Sequence, residues 1–240
     1  MLFKNRREKK NIEGPSPKVA HKRIIAGLLG LLALLFAWSL WQQGSPKIDL
    51  QAAEQALYNT FGAPSYRFTT KSTVFLEGEQ RLFCQLTGEI SGKNRHIEGE
   101  LLGTPLNIYL VEGSLYQQSA LDKSWRCIAE ADFEQARKLV GEIAPETNFA
   151  YADIGQPAYL GLEEVEGKKL HKVELHPIMA NTWIEQFFTD IVSTLWLDKE
   201  GQYIVRAKTE AVSAENPSVK LAVENTFYDF NDEIDIKLPL

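Results

Sequence analysis

"TLWLDKEGQYIVRAKTEA", residues 194–211, reads as two strands around an Asp198-Lys199-Glu200-Gly201 turn. After the turn, Tyr203, Val205 and Ala207 alternate with Ile204, Arg206 and Lys208, so one face is mostly apolar and the other mostly charged. A hairpin of this kind belongs to an antiparallel sheet with one buried face. The question it raises is what the apolar face covers: an ordinary core, or a cavity.

The flanking sequence extends the sheet in both directions. Three strands close the chain, at about 193–198, 202–212 and 218–229, followed by a short tail, "EIDIKLP". Upstream, residues 49–64 have helical spacing: Asp49 is placed to cap, Leu50, Leu57 and Phe61 share a side, and Gly62 and Pro64 end the run. The period then switches to two. Segments 66–76, 81–90, 95–101, 106–113, 114–119 and 124–128 read as a meander of short strands with Gly, Asn, Lys and Asp in the turns. A helix is expected at 132–143, where Asp132 and Gln135 make a capping-box pattern. A loop with Pro145 and Pro157 leads to a strand at 169–177, and a second amphipathic helix is expected at 180–191.

A sheet of nine or more antiparallel strands tends to curl. Three helices are too few for an alternating α/β fold. The expected class is α+β: a strongly curved antiparallel sheet, an open half-barrel, with helices covering its concave face.

The chain has a formal net charge of −6, but its first 23 residues hold eight Lys and Arg against two Glu, so the remainder carries −12. Next comes "IIAGLLGLLALLFAWSLW", residues 24–41, 18 residues without a charge. This is long enough to cross a bilayer core as a helix, and Trp38 and Trp41 suit its far interface. The expected organisation is a basic cytoplasmic tail (1–23), a single transmembrane anchor (24–41), a linker (42–48) and an extracytoplasmic domain (49–240). The competing reading of the same segment is a cleaved signal peptide. The basic end on an acidic body suits a membrane boundary better than a nucleic-acid partner.

Three stretches together carry a resemblance. "LGLEEVEGKKLHKVELHP" (160–177), the opening hairpin, and "VENTFYDFNDEIDIKLP" (223–239) look like the closing half of the lipoprotein-localisation superfamily, the LolA/LolB/LppX-like proteins. The shared pattern is Val165-x-Gly167-Lys168-Lys169, then Trp196-Leu197-Asp198-Lys199-x-Gly201, then Asp229-Phe230-Asn231 with Ile234, Ile236 and Pro239. The resemblance implies an open, curved sheet whose helices cover an apolar cavity for acyl chains or other hydrophobic ligands. The chain departs from the shuttling carriers in its expected anchor, which implies a fixed role.

The candidate cavity residues are Tyr66, Phe68, Trp125, Trp183, Phe187, Phe188, Tyr203, Val205 and Phe227, all expected on inward faces. Cys84 and Cys127 both fall outside the membrane on this topology. A disulfide and two free thiols remain alternatives there. No H-E-x-x-H, G-x-S-x-G, Walker loop or C-x-x-C is present, so the expectation is a protein that is not an enzyme and uses no metal or cofactor. Two functions fit. One is a membrane-anchored binder of a lipid or other hydrophobic ligand. The other is an anchored interaction module with a filled core that contacts another envelope protein.

Overall fold

A computed structural model of the chain describes residues 48–128, 144–180 and 186–238. The expected tail, anchor and most of the linker lie outside the described residues, as do the expected helix at 132–143 and Trp183. No helix among the described residues is long and apolar enough to cross a membrane.

Helix α1 (Leu50–Gly62) starts where Asp49 caps it: Asp49 Oδ1 accepts the Ala52 amide at 2.9 Å. It buries Ala53, Ala56 and Thr60 rather than its larger side chains, while Leu50, Leu57 and Phe61 pack at the margin. Small residues on the contacting stripe let the helix lie close to the sheet. The Thr60 hydroxyl fixes it there, donating to the Ala56 carbonyl at 2.7 Å and accepting the Ile204 amide at 2.8 Å.

The meander follows as β1 (Ser65–Leu76), β2 (Glu79–Ser91), β3 (Asn94–Leu101), β4 (Thr104–Val111), β5 (Ser114–Gln118) and β6 (Trp125–Cys127). After a single turn of helix, α2 (Pro145–Asn148), come β7 (Tyr151–Asp153), β8 (Ala158–Val165), β9 (Lys168–Leu175), β10 (Ile178–Met179), β11 (Phe188–Leu197), β12 (Ile204–Ser213) and β13 (Lys220–Tyr228). Eleven strands form one sheet in the order β6-β5-β4-β3-β2-β1-β13-β12-β11-β9-β8, and β7 pairs with β10 apart from it. Every pairing is antiparallel. The edges β6 and β8 do not meet, so the sheet is open. The one long-range join is β1 on β13, which brings Phe68 opposite Phe227 and Thr70 opposite Asn225.

Two expectations need correction. The run 180–191 is not one helix, because β11 begins at Phe188. Thr189, Ile191 and Val192 are β-branched and favour the strand. A register shift between Thr189 and Val192, with Asp190 at φ 51°, breaks the alternation and leaves an apolar spacing that mimics a helix. The stretch expected as loop before residue 169 contains β7 and β8. Strand β8 is an edge with Leu160 and Leu162 about half exposed, at 51% and 48%, and a register shift at Leu160 blurs its period. In β2, a shift opposite Ser72 and Thr73 pairs Cys84 with Ser72 but Leu82 with Thr73, so Leu82 leaves the face that Cys84 and Leu86 share.

Candidate functional site

Strand register sorts the side chains into two faces. One is charged and polar, carrying Arg67, Lys71, Gln85, Thr87, Glu98 and Lys208. The other is buried along the whole width of the sheet, from Leu115 and Ile108 through Ile97, Leu86, Phe68, Phe227, Ala207 and Leu195 to Val173. This second face is the candidate site, and it divides into two halves of different chemistry.

The half under α1 is aromatic. Phe61 stacks on Phe149 with centroids 5.2 Å apart and meets Phe227 edge-on at 5.6 Å. Tyr66 lies 6.1 Å from Phe227 and 6.5 Å from Phe68. Tyr66, Phe68 and Phe227 are at most 1% exposed. The Phe68 ring needs Gly88 across the ladder, because a Cβ on Gly88 would run into the Phe68 ring. Three of the expected cavity residues therefore come together, as members of a filled aromatic cluster.

The half beyond them is lined by small and hydroxyl side chains: Thr70, Ser72, Ser193, Thr209, Ala211 and Val223, all buried. Ala211 and Val223 stand outside the aromatic-centred cluster. A hydrogen-bonded band crosses this half. Thr70 Oγ1 donates to Asn225 Oδ1 at 2.7 Å, Ser193 and Thr209 hydroxyls are 3.0 Å apart, and the Tyr151 hydroxyl donates to Ser193 at 3.1 Å. Burial pushes the Tyr151 phenol well above its ordinary pKa, against the lowering effect of the Ser193 and Thr209 hydroxyls, so it stays neutral. Asn225 is 1% exposed, and its Nδ2 has no hydrogen-bond partner. A buried amide left half satisfied costs about 1–3 kcal/mol. Periodicity does not flag this band, because Thr, Ser and Asn at inward positions read as interruptions of an apolar pattern.

The other expected cavity residues lie elsewhere. Trp125 is on the polar face: it pairs with Gln118 and meets Tyr109 edge-on at 5.2 Å, next to the His96–Tyr109 stack. Val205 is displaced by a bulge. Trp196 pairs with Arg206 and Leu197 with Ile204, which leaves Val205 without an opposite residue on β11. Ile204 takes the buried position, and Val205 lines a groove of about 580 Å³ with Val165, Leu170, Arg206 and Tyr228. Tyr203 stacks on Phe230 at 4.6 Å and accepts Asn231 Nδ2 at 3.0 Å, closing the turn end of the sheet. Phe187 is 39% exposed and Phe188 is half-buried at the start of β11.

Cys84 and Cys127 are both free. Cys84 is buried in β2, and Cys127 is exposed in β6, four strands further along the sheet. At about 4.8 Å per strand this separation is far beyond disulfide reach. Burial raises the Cys84 thiol pKa, so it behaves as a small apolar residue. His171, also inward, is satisfied on both nitrogens, by the Tyr159 hydroxyl at 2.9 Å and the Lys199 carbonyl at 3.1 Å.

No family model matches the chain, and no curated protein sequence matches it. Solved structures do. The chain is similar to the lipoprotein LppX from Mycobacterium tuberculosis, with 13% identity over 78% of this chain and 97% of that one, at a TM-score of 0.52. It is similar to LprF from Mycobacterium bovis, with 14% identity over 79% and 95% of the two chains, at a TM-score of 0.51. At these identities the likeness concerns the fold, and the fold of this chain is LppX-like.

Proposed function

We propose that the chain is a membrane-anchored, extracytoplasmic binding protein of the cell envelope that holds a lipid or other hydrophobic ligand against the inward face of a half-barrel sheet. The anchor is residues 24–41, and the binding domain is residues 49–240. The observation that carries the reading is the small-residue half of the buried face. Its side chains are small or hydroxyl-bearing, and the Asn225 amide there retains an unused hydrogen-bond donor. The Thr70, Ser193 and Thr209 hydroxyls are paired within the protein, which leaves few free polar groups to oppose a hydrophobic ligand. The unused donor suits a carbonyl or ester oxygen at the ligand's polar end. The LppX-like fold supports the reading, and the resemblance read from residues 160–239 points the same way.

The second reading, an anchored interaction module with a filled core, is favoured by the packing of Phe61, Phe149, Tyr66 and Phe227 under α1. Native mass spectrometry of the full chain, released from detergent, separates the two. The binder is expected to carry adducts in the mass range of membrane lipids and to take up a fluorescent fatty-acid analogue saturably. A single unliganded mass, with no probe uptake, leaves the interaction module.

A further inference from the structure

The polar face of the sheet carries a groove of its own. Across β2, β3, β4 and β5, strand register places Thr87 opposite Glu98 and Glu98 opposite Asn107, with Gln118 lining the same groove. The groove has a volume of about 360 Å³, and the 119–123 loop forms its rim. Its floor is a row of amide, hydroxyl and carboxylate groups. These are held in place by their neighbours: Asn107 Oδ1 accepts from His96 Nε2 at 3.0 Å, Asn107 Nδ2 donates to Glu98 at 3.5 Å, and Gln118 donates to the Lys123 carbonyl at 3.0 Å.

Beside this row stands an aromatic wall. Trp125 pairs with Gln118, so it lies on the same face, next to the lining residue Gln118 and outside the groove's own lining. Its ring meets Tyr109 edge-on at 5.2 Å, and Tyr109 stacks on His96 at 3.9 Å. None of the three rings is needed to fill the apolar core on the opposite face.

The geometry points to a binding site for a neutral glycan, a polysaccharide strand whose ring faces lie on Trp125 while its hydroxyl or acetamido groups bond to Glu98, Asn107 and Gln118. The chemistry decides among ligand classes. A phosphate or sulfate ligand needs several cations, and Lys123 is the only Lys or Arg among the described residues that line the groove. An acyl chain needs apolar walls, and this floor is polar. A sugar presents both donors and acceptors around its edge and C–H groups on its faces, which matches mixed amide and carboxylate groups next to an aromatic ring. This site is independent of the inward-face ligand.

The test uses the full chain in a detergent without a sugar headgroup, titrated with chitotetraose and with maltotetraose by calorimetry. Saturable binding of at least one of them is expected. Trp125→Ala should weaken it about tenfold or more, whereas Trp125→Phe should stay within about threefold. Glu98→Gln and Asn107→Ala, both surface changes, should each weaken it by about threefold to tenfold while the thermal melt is unchanged. Binding of neither sugar at millimolar concentration overturns the proposal. So does binding that Trp125→Ala and Glu98→Gln leave intact, and so does binding confined to a sulfated polysaccharide.

Discussion

The aromatic and small-residue halves of the buried face share the same strands, yet they do different things. Under α1, strands β1 and β13 present Tyr66, Phe68 and Phe227, and rings from α1 and the 144–150 segment interlock with them. One register step further, the same two strands present Thr70, Ser72, Asn225 and Val223. The first half is closed by shape: large side chains meet at ring-contact distances, and Gly88 gives up its side chain so that Phe68 can lie flat. The second half is closed by hydrogen bonds, with one amide left incomplete. A sheet that needed only a core would not change composition so abruptly along paired strands. The contrast teaches that the two halves are held by different means, and on the proposed reading the small-residue half is the one that meets the ligand.

The largest effect that would break this comparison is in the aromatic half. Phe227→Ala removes a ring that contacts Phe61, Phe149 and Tyr66, and should cost about 3–5 kcal/mol in denaturant unfolding. Fatty-acid probe affinity of the protein that remains folded should be unchanged. A large drop in affinity with little loss of stability would mean that the aromatic half is the binding surface. Gly88→Ala comes next. The added methyl would meet the Phe68 ring, and the overpacking should cost about 1–3 kcal/mol. A neutral result would mean that the Phe68 ring has room to move, contrary to a filled half.

These tests rest on features that were unequally visible in the sequence. The meander and the closing hairpins were legible because turn residues and period-two alternation agree there. The N-terminus of α1 was legible because Asp49 sits directly before the apolar spacing. What was not legible arises where register slips. The bulge at Val205 turns that side chain away from the face that its neighbour Ala207 keeps, and nothing in "GQYIVRAK" marks it. The shift near Asp190 made a strand look helical, and the edge position of β8 hid an alternation that buries neither face fully. Trp125 was expected on an inward face of its short strand. Its position follows from the register of β5 on β6, which depends on strands far from it in sequence. The polar band was invisible for a different reason: its meaning comes from Thr70 and Asn225 standing opposite each other across 155 residues.

A smaller effect is expected in the small-residue half. Ala211→Phe inserts a ring among Thr209, Val223 and Ser193. If this half borders ligand space, the ring enters that space. Stability should then change by less than about 1 kcal/mol while probe affinity falls about tenfold. If the half is packed core, the same substitution should cost about 1–3 kcal/mol, and the two halves would not differ.

The smallest net effect is expected of a double variant, and it isolates the unfinished amide. Asn225→Leu alone leaves the Thr70 hydroxyl buried without its 2.7 Å acceptor and should cost about 1–3 kcal/mol. Thr70→Val alone removes the other partner and should cost a similar amount. The double variant Thr70→Val with Asn225→Leu replaces both by apolar groups of like shape. Its unfolding free energy should return to within about 1 kcal/mol of the parent, because no polar atom of the pair is then left in the core. A pair kept only for stability would make the double variant the worst of the three. A pair kept for a ligand makes it stable but weaker for an ester- or acid-bearing lipid, with affinity for a plain hydrocarbon probe retained. Equal affinity of the parent and the double variant for both probes would remove Asn225 from the site while leaving the small-residue half as a candidate for the hydrocarbon chain alone.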